Sequence, residues 1–71
     1  MNVSKLKGII VEKNKTQETV AEEIGIHRST FYRKMERGGE DFTIEQMKNM
    51  MVSIPLTMEE AKEIFFDSKG A

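Results

Sequence analysis

Between residues 25 and 39 the chain reads GIHRSTFYRKMERGG, and four of its eleven Lys and Arg side chains fall in that stretch. Arg28, Arg33 and Arg37 carry planar guanidinium forks, which pair bidentately with phosphate, carboxylate or the O6/N7 edge of guanine. Lys34 adds a point charge, and Ser29 and Tyr32 add hydroxyls beside them. This chemistry holds a polyanion and reads its edges; it does not make or break bonds. Taken alone, such a run is also what a solvated helix face looks like.

Residues for catalysis are missing. The 71-residue chain has one histidine, His27, no cysteine and no Gly-rich phosphate loop. Glu59, Glu60 and Glu63 share a helical segment but have no base or metal partner, so an enzyme has no residues to stand on. His27 with carboxylates is a poor ligand set for a transition metal. Neither a metal nor a cofactor is expected, and nothing resembles a pocket for a small-molecule ligand.

The formal net charge of −1 conceals a division along the chain. Residues 1–38 hold eight Lys or Arg against five Glu, or +3, while residues 39–71 hold three Lys against seven acids, or −4. One half can attract a polyanion that the other repels. Hydrophobic residues at 38% and charged residues at 32% describe a folded domain. The length allows one domain, expected over 1–67 with a short C-terminal tail at 68–71. No run reaches the eighteen apolar residues of a membrane span, and the first fifteen residues lack the apolar core of a signal peptide. A cytoplasmic location and no membrane partner are the expectation.

Helical spacing recurs throughout, and strand alternation is absent. Val3, Leu6 and Ile10 predict a first helix over about 3–13. Thr16 is placed to cap a second, with Val20, Ala21 and Ile24 on its apolar face and Gly25 ending it through positive φ. A third, over about 28–36, buries Phe31 and Met35 and stops at Gly38-Gly39. Thr43…Gln46 and Thr57…Glu60 have capping-box spacing and open helices over about 44–52 and 58–66, with Phe42/Met47 and Leu56/Ala61 as the flanking apolar pairs. Pro55 separates the two. The fold class is all-α.

The second and third helices, joined by Gly25-Ile26-His27, have the proportions of a helix-turn-helix. Ala21 is small where two such helices cross, and Val20, Ile24, Ile26 and Phe31 close the space between them. Adjacent helical residues point about 100° apart, so Phe31 faces inward and Tyr32 outward. His27, Arg28, Ser29, Tyr32, Arg33 and Glu36 form the outer face.

TQETVAEEIGIHRSTFYRKMERG resembles the helix-turn-helix of the lambda-type repressor and Cro (XRE) family. Within that family the TFYRK core, the FTIEQ start of the fourth helix and the IFF ending are most similar to small phage-encoded regulators of Gram-positive hosts. The resemblance covers nearly all of 1–67. It departs at two positions: His27 stands where Ser or Thr commonly caps the third helix, and Lys34 stands where an apolar residue is usual, with Met35 next to it.

The resemblance implies a compact five-helix, lambda-repressor-like DNA-binding domain and a sequence-specific regulator of transcription, a Cro-like repressor acting in a bacterial host. Its third helix would enter the major groove of a double-stranded operator, with Arg28, Ser29, Tyr32, Arg33 and His27 as base readers. Thr16 and Gln17 match positions that hold a phosphate at a helix N-terminus. Thr30, Lys34, Arg37 and the amides of Gly38 and Gly39 are further phosphate candidates. The alternative is a helix-turn-helix module that binds protein, as an antirepressor or antitoxin-like subunit would. A homodimer on DNA is expected through Phe66, since Ala61, Ile64 and Phe65 take the inner face and leave Phe66 pointing elsewhere. The competing position for Phe66 is folded back onto the first helix near Leu6 or Ile10.

Overall fold

Helix ends organise this chain. The computed structural model describes residues 1–66, and the expected tail at 68–71 lies outside them, as does residue 67. Five helices follow in order: α1 Val3–Glu12, α2 Gln17–Glu23, α3 Arg28–Glu36, α4 Ile44–Ser53 and α5 Met58–Phe65. No strand occurs among the described residues. A radius of gyration of 11.0 Å matches the ~11 Å of a compactly folded chain of this length.

Each helix start is closed by a side chain. Asn2, Thr16, Thr43 and Thr57 accept hydrogen bonds from the amides of Lys5, Thr19, Gln46 and Glu60. In α4 and α5 the box is complete, with Gln46 and Glu60 reaching back to the Thr43 and Thr57 amides at 3.0 and 2.9 Å. The Glu60 carboxylate is held below the usual carboxylate range, first by the Thr57 amide and further by Lys13.

The first three helices end by one device. After α2, the Gly25 amide donates to Glu22 and the Ile26 amide to Ala21 at 3.1 and 3.0 Å. That is the paired 5→2 and 6→1 arrangement of a Schellman motif, which needs a left-handed residue after the cap. Gly25 supplies it with φ 86°. After α3 the Gly38 amide bonds Met35 and the Gly39 amide bonds Lys34. After α1 the left-handed residue is Asn14, at φ 61°. After α4 only the 6→1 bond remains, Leu56 to Met51 at 2.8 Å, because Pro55 has no amide to make the other.

α2 packs against α3 and α4, and α1 packs against α5. Leu6, Ile10, Val20, Ala21, Phe31, Met50, Ile54 and Ile64 are all but fully buried. The inner faces expected of α2 and α3 are found, except that Ile26 packs against the core only half-buried. Ile9, absent from the apolar spacing read for the first helix, is buried too, at 4% exposure. Phe31 meets Phe42 with ring centroids 5.3 Å apart and planes tilted by 59°. This contact anchors α3 to the loop before α4. Lys13 ties α1 to the α4–α5 turn through the Pro55 carbonyl at 2.9 Å and Glu60 at 3.2 Å.

Candidate functional site

α3 begins at Arg28, and its two sides differ in kind. Phe31 and Met35 are buried, whereas Arg28, Ser29, Tyr32, Arg33 and Glu36 are exposed. The structure therefore brings the expected reading residues onto one outward face, fixed from behind by aromatic packing. Among the described residues neither Arg28 nor Arg33 forms an ion pair with a carboxylate within 4 Å, in contrast to Arg37, whose Nε lies 3.1 Å from Asp41.

His27 is the cap of this helix. Its Nδ1 accepts from the Ser29 amide at 3.1 Å and lies 2.8 Å from the Ser29 hydroxyl. Ser and Thr cap through an oxygen; here an imidazole nitrogen does the same work at the second helical amide. Nδ1 is thereby spent, and the ring is left with Nε2 for any outside partner. His27→Ala should destabilise the fold by about 0.5–2 kcal/mol, the range for losing an N-cap, while His27→Ser should restore most of it. Urea melts of the three proteins decide this, and a His27→Ala curve that overlays the parent would show the contact to be incidental.

Tyr32 projects outward as expected, but its hydroxyl is occupied. It donates a hydrogen bond to Oε2 of Glu18, in the first turn of α2. The bond to Tyr32 is the main reason the Glu18 carboxyl sits below the usual range, with the Arg28 charge a smaller contribution. The same bond raises the Tyr32 phenol. Glu18 was not singled out from the sequence. Only the placement of α2 against α3 puts residue 18 beside residue 32, and helical spacing within either helix carries no trace of it.

The phosphate candidates fare unevenly. The Thr16 hydroxyl is engaged twice, accepting from the Thr19 amide at 3.0 Å and donating to the Thr19 hydroxyl at 2.9 Å. Gln17 and Thr30 are half-buried and form no side-chain hydrogen bond among the described residues. Lys34 donates to the Asp41 carbonyl at 2.8 Å with its ammonium 5.8 Å from the Phe42 ring centre. Its stem thus covers the core at the place where an apolar residue was expected, a snorkelling arrangement. The amides of Gly38 and Gly39, expected to be free for an anion, are corrected by the structure: both are consumed in ending α3, at 3.0 and 2.9 Å.

Phe66 is 75% exposed and does not fold back onto α1. Together with Ile44, Met47, Lys48, Met51 and Phe65 it borders a largely apolar groove between α4 and the end of α5. Apart from Phe65, the residues that share this groove with it are on α4. Among the described residues no helix is long and apolar enough to cross a membrane.

The chain matches no protein-family model, no curated protein and no solved structure.

Proposed function

We propose that this chain is a sequence-specific double-stranded DNA-binding regulator of transcription, with α2 and α3 as its helix-turn-helix and the lambda-type repressor and Cro family as its fold type. One observation carries the reading. Arg28, Ser29, Tyr32 and Arg33 stand exposed on a single helix whose reverse side, Phe31 and Met35, is locked into the core. Side chains of this kind on a rigid helix suit the donor and acceptor pattern of the major groove. A role as a Cro-like repressor fits a domain of this size.

The apolar groove beside Phe66 supports a homodimer. Two-fold dimers are the commonest assemblies, and they would set two copies of α3 about 34 Å apart on a near-palindromic site. The same groove is the observation that favours the second reading, a module docking a protein partner.

Titration of duplex DNA in rising salt separates the readings. A DNA-binding protein should lose affinity linearly on a log–log plot, with a slope of about −0.9 for each phosphate neutralised. Absence of any complex at low salt, across a random-sequence duplex pool, would leave the protein-docking reading in its place. Sedimentation of the parent and of Phe66→Ser, with and without DNA, tests the dimer. The parent should pair and the variant should not; two monomers at high micromolar concentration would remove the proposal.

A further inference from the structure

The proposed DNA face is close to electrically balanced. α2, with the sequence QETVAEE, brings three glutamates and no basic residue against the basic α3. Glu23 is turned away, to Lys15 at 2.8 Å and to Ser53. Glu18 and Glu22 line a depression with Ile26, His27 and Arg28, at the N-terminal end of α3. Glu18 is not loose there, because the Tyr32 hydroxyl fixes one of its oxygens. A carboxylate fixed beside Arg28 weakens that arginine's attraction for any phosphate and is itself repelled by one. Towards bases it is not repulsive, since exocyclic amino groups of cytosine and adenine are donors. The charge therefore discriminates between backbone and base edges.

We propose that Glu18 is a specificity-determining residue of the DNA face, a fixed negative charge that holds Tyr32 in place and suppresses sequence-independent binding to the phosphate backbone. The proposal rests on the DNA-binding reading above. Selectivity is a difference between affinities, and a repulsive element against the wrong partner raises it as surely as an attractive one for the right partner. For a regulator surrounded by non-specific sites, that difference is the quantity that matters.

Glu18→Gln and Glu18→Ala separate the two roles, because Gln retains an acceptor for Tyr32 and Ala does not. Both are changes at an exposed position, so thermal melts should confirm folded proteins. The probes are a random-sequence duplex and the site that the parent selects from a random library. Both variants should bind random duplex about fivefold more tightly, the order of effect of one unit charge removed within a few ångströms of another in water. Their salt slopes should steepen by up to about 0.9, one added phosphate contact. Only Glu18→Ala should also weaken on the selected site. Glu63→Gln, on the α1–α5 side where Glu63 pairs with Lys5 at 3.0 Å, changes net charge equally and should leave the ratio of the two affinities as it is. Unchanged affinity of both Glu18 variants for random duplex, or a gain matched by Glu63→Gln, overturns the proposal while the DNA-binding reading stands. Failure of the parent itself to bind any duplex overturns both.

Discussion

Phe31→Ala should remove about 3–5 kcal/mol of folding free energy, the usual cost of truncating a buried phenyl ring. A chain of this length has only roughly 4–11 kcal/mol in total, at about 0.05–0.15 kcal/mol per residue. The variant should therefore be largely unfolded near room temperature or melt far below its parent. Phe31 is fully buried, lies among the core residues of the other helices, and stacks at a tilt on Phe42. Its loss empties the centre of the molecule and releases α3 from the loop that precedes α4. Tyr32→Phe, one position along on the exposed side, should by contrast melt close to the parent. Circular dichroism melts of both variants check the pair of outcomes. Similar curves for the two would mean that the inward and outward sides of α3 have been exchanged.

That assignment of sides could be made from the sequence, because it follows from geometry within one helix. The same holds for the caps. Thr16, Thr43 and Thr57, the Gln46 and Glu60 of the two boxes, and the left-handed Gly25 are local devices, fixed by residues within four positions of one another. Helix boundaries accordingly fall within one or two residues of those expected. What depended on packing between helices was not legible. Spacing alone missed Ile9, which is buried together with Ile10 against the rest of the core. It treated Lys34 as free, because helical spacing does not say that the chain turns to bring the Asp41 carbonyl within its reach. It also treated the Gly38 and Gly39 amides as free, although their partners Met35 and Lys34 are local and repeat the pattern seen at Gly25 and Ile26. It left two positions open for Phe66 and did not see the groove that Phe66 borders, since the α4 and α5 residues that line it lie fourteen or more positions apart. Glu18 went unnoticed for the same reason, and it changes the character of the candidate site from a basic face to a balanced one.

Arg28→Ala is expected to have the largest effect on recognition that leaves the fold intact. Arg28 is the first residue of α3 and is exposed, so its side chain projects from the end of the helix that the proposed mode presents to base edges. It is also a poor site for a purely structural arginine, because no carboxylate lies within 4 Å of it among the described residues. A bidentate pair with guanine is worth about 1–3 kcal/mol against the wrong base, so the variant should lose roughly 5- to 150-fold on the selected site. Preference at one base pair of each half-site should relax while the others hold. Binding to random duplex should fall by less, because there the phosphates lose only the attraction of one exposed charge. Equal losses on selected and random DNA would reassign Arg28 to the backbone. The double variant with Glu18→Gln adds a finer reading. Residues that share one network depart from additivity by about 0.5–3 kcal/mol, so a coupling in that range would place Glu18 and Arg28 in one recognition unit. Strict additivity would mean that Glu18 acts on the DNA without passing through Arg28.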